Sequence, residues 1–322
     1  MGEYEALRDR ILSFTTVGEW EEAASSVRRL YAEQVYGRVP EAYHLRKAST
    51  RQGMNGEEIW EMEGEGVSLS LFVSFPDRRE AVPVMLIPLL YRQPAEMLPR
   101  QLIHNRGAAL AWIEVHAAAP DIPACRQGGV YTAWRGRKDF YETSCGALAV
   151  WAWALAEAAC ALKSDPRVNA VHLVGHSRGG KAALWAAGAY RVFDSCSAVH
   201  SGCCGASCFR SIPKGMENVR EITRQFPWWF SDTLASYSER MEELPVEQEL
   251  LLSLAAPAKL LVLSRDRDPY CDAQAEEKSV HGARHVFALY GMQPVYHLTH
   301  GGHEFVEDEW QFILNTLVDP QS

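Results

Sequence analysis

Residues 171–188, VHLVGHSRGGKAALWAAG, run from an apolar segment through a glycine-flanked serine into an alanine-rich segment. The first part is a short continuous apolar run that stops at Gly175, the pattern of a strand buried on both faces. The second part, KAALWAAGAY, is rich in strong helix formers. A chain that passes from strand to helix within a few residues holds the residue between them in a strained backbone conformation. Small neighbours let so tight a turn close. Gly175-His176-Ser177-Arg178-Gly179 fits this requirement as a G-x-S-x-G nucleophile elbow. Such a turn lifts the Ser177 hydroxyl above the C-terminal edge of a sheet. The N–H of Arg178, at the helix start, then faces a developing oxyanion.

The segments around the elbow repeat the same alternation. VSLSLFVSF alternates as a half-buried strand does, while AVPVMLIPLL and GAALAWIEV read as buried strands. CGALAVWAWALAEAACALKSDP reads as a long buried helix ended by Asp165-Pro166. NAVHLVGHS, CSAVHSG, AKLLVLS and PVYHLTH are short apolar runs, and EDEWQFILNTLV is a closing helix. Strands alternating with helices predict an α/β fold, a mostly parallel sheet with helices on both faces in a three-layer sandwich. Near the N-terminus, WEEAASSVRRLYAEQVYG sets Ala24, Val27, Leu30 and Tyr31 on one helical face. Residues 1–55 are therefore expected as a helical extension packed on a single domain covering 1–322.

Composition narrows the partners. The net charge is −9 and no basic block stands out, which argues against nucleic acid and anionic membranes as partners. No apolar run is long enough for a transmembrane helix. The start, MGEYEALRDRILSF, is charged and lacks the apolar core of a secretory signal, so a cytoplasmic protein is expected. The eight cysteines are then expected to be reduced and mostly buried. CCGASC has no second Cys/His cluster at zinc-binding spacing, so no metal is expected.

A serine hydroxyl needs a base, and the base needs an orienting carboxylate. With an elbow the chain order is Ser, then Asp or Glu, then His. PVYHLTHGGHEF offers His297, His300 and His303. His297 falls inside the strand. His303, in a loop after two glycines, is the best-placed base, with His300 in reserve. The acid should follow AKLLVLS, where RDRDPYCD holds Asp266, Asp268 and Asp272. Asp268 completes the set Ser177, Asp268, His303, each at the end of an expected strand, where ligands gather in open α/β sheets. A second oxyanion N–H is expected within LLYRQP, residues 89–94.

GHSRGGKAALWAAG resembles the elbow of the glucuronoyl esterases, whose serine is followed by Arg and, three residues later, Lys. YGRVPEAY, GALAVWAWALAEAACAL, SGCCGA, RQFPWWF and LLLSLAAPAKLLVLSRDRDPYCD are similar too, covering most of the chain from about residue 36. The resemblance implies an α/β-hydrolase fold and further roles. Arg178 would lend its guanidinium to the oxyanion, Lys181 would hydrogen-bond sugar hydroxyls, and Glu217 would contact the sugar. Trp228 and Trp229 are candidates either for a sugar-stacking platform or for the core, and at most one of them is expected to face the site. Trp229, which matches a family position, is counted among the substrate-binding residues although a structural role is expected for it. Two departures stand out. His200 occupies the place after the next strand where many members carry the glutamate of the triad, which leaves Asp268 as the acid. Tyr270 stands where the family often has tryptophan, which implies a changed pocket.

The expected function is a cofactor-free serine carboxyl-ester hydrolase acting on a small-molecule or oligosaccharide ester. The sugar sits on the acyl side in a glucuronoyl ester and on the leaving-group side in an acetylated sugar. An amide or peptide hydrolase and a non-catalytic binding module are the remaining classes; the Ser–Asp–His order weighs against the second.

Overall fold

Nine strands form one sheet: β1 (Arg46–Gln52), β2 (Glu58–Gly64), β3 (Val67–Ser74), β4 (Val82–Leu89), β5 (Ala109–Glu114), β6 (Val168–His176), β7 (Ser195–Val199), β8 (Lys259–Arg265) and β9 (Val295–Thr299). The computed structural model describes residues 2–40, 44–90, 93–213 and 215–318. Strand order across the sheet is β1-β2-β3-β5-β4-β6-β7-β8-β9. The β1–β2, β2–β3 and β3–β5 pairs are antiparallel, and every pair from β5 through β4 and β6 to β9 is parallel.

The inner parallel strands are those read as apolar runs, because helices cover both of their faces, whereas β9 at the parallel edge has no fully buried residue. β7 is buried at all five positions and β4 at seven of eight. β3 keeps the alternation of a half-covered strand. Helix Ala147–Lys163 is buried along almost its whole length and packs against the elbow helix, Arg178–Ala189. Chain order and spatial order part company at β4. The chain moves outward from β4 to β5, then returns to lay β6 on the other side of β4. The strand ends flanking such a reversal open into a crevice, and Ser177 follows β6 directly.

The N-terminal stretch is helical only to Tyr36, through Glu3–Leu12, Val17–Tyr31 and the turn Ala32–Tyr36. Thr16 and Glu19 form a capping box at the second helix. Ala24, Val27 and Tyr31 are buried as the helical face requires, and Tyr36 stacks on Trp185 of the elbow helix at 4.9 Å. Arg46–Gln52, read from sequence as part of the helical extension, is instead the edge strand β1. All seven of its residues are exposed, and their polar side chains protect a sheet edge while erasing any apolar period. All eight cysteines are free thiols, seven of them buried and Cys160 exposed. Among the described residues no helix is long and apolar enough to cross a membrane.

Candidate active site

The elbow is strained where its sequence demands it. Ser177 sits at φ 55, ψ −126, in the left-handed region that non-glycine residues rarely enter. Its N–H donates to the carbonyl of Val199 at 2.9 Å, and its carbonyl accepts from the N–H groups of Gly180 and Lys181. These bonds fasten the turn to β7 and to the first turn of the helix. Gly175 is required by close approach, since a Cβ there would lie 2.3 Å from the carbonyl oxygen of Gly179.

Three loops then converge. His303, in the loop between β9 and helix Glu307–Leu317, places Nε2 2.9 Å from Ser177 Oγ. Its Nδ1 lies 2.7 Å from Asp268 Oδ2. Asp268 follows β8, its side chain fully buried, and its Oδ1 accepts from the N–H groups of Tyr270 at 2.8 Å and Cys271 at 3.2 Å. Burial pushes the Asp268 carboxyl upward, but the bond from His303 and the backbone N–H of Tyr270 hold it below the usual carboxylate range. An ionised Asp268 fixes the proton of His303 on Nδ1 and leaves Nε2 as a lone pair facing the serine. His300 instead pairs with Asp266 at 3.0 Å on the surface, and Asp272 caps helix Ala273–Leu289. His297 stacks on Phe312 at 3.7 Å.

A cleft of about 300 Å³ opens above Ser177, bounded among others by Arg178, Lys181, Glu217, Trp229 and Tyr270. The oxyanion candidate Arg178 and the four candidates for substrate contact therefore share one cavity with the serine. Lys181 is less free than its expected role implies. Its Nζ donates to the carbonyls of Ser201 at 2.7 Å and Cys203 at 2.6 Å, and stands 3.5 Å from Glu217 Oε2. Burial works against its charge, yet Glu217 together with Cys271, Cys203 and Cys204 holds its pKa above the ordinary lysine value. With two N–H groups spent on backbone, the Lys181–Glu217 pair presents mainly carboxylate acceptors to the cleft. Trp229 is buried, stacked on Phe226 at 3.9 Å, and contributes a wall. Tyr270 is half exposed, with its ring 5.0 Å from His303.

Asp121, which sequence reasoning passed over, organises the Arg178 side of the cleft. Its carboxylate is nearly fully buried, accepts from Arg178 Nη1 at 2.6 Å, and takes the indole N–H groups of Trp228 at 3.0 Å and Trp229 at 2.6 Å. The Arg178 guanidinium lies 5.6 Å over the Trp229 ring. Asp121 belongs to an alanine- and proline-rich stretch after β5 with no motif to single it out. Of the segment expected to supply a second oxyanion N–H, Tyr91 and Arg92 lie outside the described residues.

His200 is fully buried beneath the cleft, at a left-handed φ of 47. Its Nε2 hydrogen-bonds Glu309 at 2.9 Å, and Arg265 Nε reaches the same Glu309 oxygen at 3.1 Å. Burial pushes Glu309 upward, but His200, the Val306 N–H and Arg265 together hold it down at about 2. His176, in the elbow itself, donates Nε2–H to the carbonyl of His303 at 2.8 Å. Burial, aided by His303 and His200, pushes His176 down to about 4, so it is neutral near pH 7.

The family model described as glucuronyl esterase, fungi, matches residues 60–291. Carbohydrate esterase MZ0003, from an unknown prokaryotic organism, is 30% identical over 188 residues, 52% of this chain and 43% of that protein. A 4-O-methyl-glucuronoyl methylesterase of Hypocrea jecorina is 30% identical over 154 residues, 43% of this chain and 33% of that protein. The matched stretch thus spans less than half the length of these curated relatives. Among solved structures, a CE15 glucuronoyl esterase from Teredinibacter turnerae superposes with a TM-score of 0.82 at 22% identity, covering 95% of this chain and 86% of that one. A glucuronoyl esterase from Solibacter usitatus gives 0.80 at 23% identity, covering 95% and 94%. These likenesses establish the α/β-hydrolase fold. The cytoplasmic expectation is corrected: neither the family match nor these relatives support a cytoplasmic placement. A charged N-terminal stretch does not decide the compartment. With a family match running over well more than half of its 322 residues, the chain belongs to the glucuronoyl esterase family.

Proposed function

We propose that this chain is a serine carboxyl-ester hydrolase that cleaves an ester of a uronic acid, with the sugar on the acyl side. Ser177 Oγ attacks the ester carbonyl, and its proton passes to His303 Nε2. The oxyanion is met by the Arg178 N–H and guanidinium, held in place by Asp121. His303 returns the proton to the departing alcohol, leaving a sugar acyl group on Ser177. Water, deprotonated by His303, then releases the uronic acid and restores the serine.

The observation that carries this reading is the chain of contacts Ser177–His303–Asp268, at 2.9 and 2.7 Å, opening on a cleft with the buried Lys181–Glu217 pair. A carboxylate beside the serine suits sugar hydroxyls, to which it is an acceptor, better than an apolar acyl chain. The relatives add support: several carry the name 4-O-methyl-glucuronoyl methylesterase. A glucuronoyl esterase mutant from Sporotrichum thermophile, alike in fold with a TM-score of 0.75 at 15% identity, was solved with methyl 4-O-methyl-beta-D-glucopyranuronate.

A paired assay tests the proposal. Benzyl glucuronate and p-nitrophenyl acetate are offered to the wild-type chain and to Ser177→Ala. Higher kcat/KM on the glucuronate ester, lost with the serine, supports the reading. Turnover of the acetate alone would move the sugar to the leaving-group side and make the enzyme a deacetylase.

A further inference from the structure

His176, His200 and His303 come from three different strand ends and meet beneath the cleft. Their ring centroids are 5.4 Å apart for His176–His200, 4.9 Å for His176–His303 and 6.0 Å for His200–His303. One ring nitrogen of each lies within 4.8 Å of those of the other two. Each ring also has its proton assigned by an acceptor. His176 Nε2 faces the His303 carbonyl, His200 Nε2 faces the Glu309 carboxylate, and His303 Nδ1 faces Asp268. A carbonyl or carboxylate oxygen can only accept, so these nitrogens carry the hydrogens. The lone pairs are left on His176 Nδ1, His200 Nδ1 and His303 Nε2.

Imidazole with its far N–H bonded to a carboxylate or backbone carbonyl is the arrangement that orients histidine toward a metal and raises its basicity. Here all three rings have it. His200 Nδ1 supplies a second, independent sign. It is a buried nitrogen without a hydrogen-bond partner among the described residues, on a side chain with no exposed surface. A polar atom so placed costs free energy unless a ligand uses it.

We propose that His176, His200 and His303 form a binding site for a divalent transition cation of the Zn²⁺ type, and that its occupation switches the esterase off. Tetrahedral zinc needs nitrogens at about 2.0–2.1 Å from the ion. Closing from separations within 4.8 Å to that distance requires the rings to turn toward the ion, with a water in the fourth position. The His303 Nε2 lone pair then bonds the ion instead of accepting from Ser177. The serine keeps its proton and the hydroxyl has no base. No electron transfer is involved, and removing the ion restores His303 to Ser177. Imidazole donors select Zn²⁺ or Cu²⁺ over Mg²⁺ and Ca²⁺, which prefer oxygen.

The switch rests on the reading of His303 as the base, whereas binding itself does not, so the two are measured separately. Zn²⁺ is titrated into the Ser177→Ala chain by calorimetry, and into the wild-type chain during ester hydrolysis. The expected result is one equivalent bound, with hydrolysis lost over the same concentration range and recovered on adding EDTA. In the Ser177→Ala background, His200→Asn and His176→Asn should each weaken Zn²⁺ binding by at least about tenfold. Two substitutions guard against one of them failing to fold, which circular dichroism reports. Mg²⁺ should neither bind nor inhibit. Zn²⁺ binding unchanged in both folded variants, or no stoichiometric binding to Ser177→Ala, would overturn the site. Binding that follows both histidines without loss of hydrolysis would keep the site and overturn the switch. A chain that hydrolyses no ester would leave the calorimetry to decide the site by itself and would count against the proposed function instead.

Discussion

Asp121 holds the guanidinium of Arg178 by a 2.6 Å charge-assisted hydrogen bond, and the same carboxylate ties down Trp228 and Trp229. A cation meant for an oxyanion is useful only if it is fixed before the charge develops, since a freely moving arginine must be reorganised during the reaction.

Asp121→Asn keeps the shape and an acceptor for the indoles but turns an amide toward the guanidinium. A lost hydrogen bond to a charged group costs about 1.5–3 kcal/mol, so kcat should fall roughly ten- to a hundredfold while KM changes little. In an Arg178→Ala background the same substitution should add almost nothing, because both act through one interaction. Steady-state kinetics on the four proteins measures this. A full additive loss would show that Asp121 acts only as a scaffold.

Asp268→Asn offers His303 an amide in place of a carboxylate. The imidazole then loses the partner that keeps its proton on Nδ1, and kcat should drop by about three to four orders of magnitude with the fold intact. Asp266→Asn disturbs the surface pair with His300 while its amide oxygen still accepts from the Gly301 N–H, and it should leave kcat unchanged.

Tyr270 stands half exposed at the mouth of the cleft against His303. Removing an aromatic wall of this kind costs about 1 kcal/mol of ligand contact. Tyr270→Ala should therefore raise KM for a glucuronate ester roughly fivefold, and Tyr270→Trp should lower it below wild type. Equal KM in all three would remove Tyr270 from the substrate path.

Acid should destabilise the chain early. Burial pushes both His172 and His176 from 6.5 down to about 4. Between those values the unfolded chain binds protons that the folded chain refuses, so stability is full above pH 6.5 and declines as pH falls toward 4. Each histidine contributes up to about 3 kcal/mol over that window. His172→Gln, which keeps a partner for Ser195, should flatten the decline by about half in urea titrations at stepped pH. An unchanged slope would mean that His172 is protonated in the folded state.

The parallel half of the sheet and its elbow were legible because burial on both faces writes itself as apolar runs, and because strand-to-helix turns of this strain accept few residues. Ser177, Asp268 and His303 followed from strand order. β1 was not legible, since an exposed edge strand of RKASTRQ has no apolar face to reveal its period. β2 lies inward of β1, and its apolar positions were not picked out from sequence. Asp121 and Glu309 escaped for another reason. Their importance lies in contacts across 57 and 109 residues of chain, with Arg178 and His200, which no local pattern encodes. His200 was noticed only as a missing carboxylate. Its tie to Glu309 and Arg265, and its place beside two other histidines, exist only once β7, β8 and the last helix are packed.

The most direct test of the catalytic account is kcat/KM for an alkyl glucuronate ester in Ser177→Ala against the wild-type chain, with folding verified for both. The predicted result is a loss of at least about four orders of magnitude, with a glucuronoyl group found on Ser177 of the wild-type enzyme after rapid acid quench. Turnover retained by Ser177→Ala would contradict it.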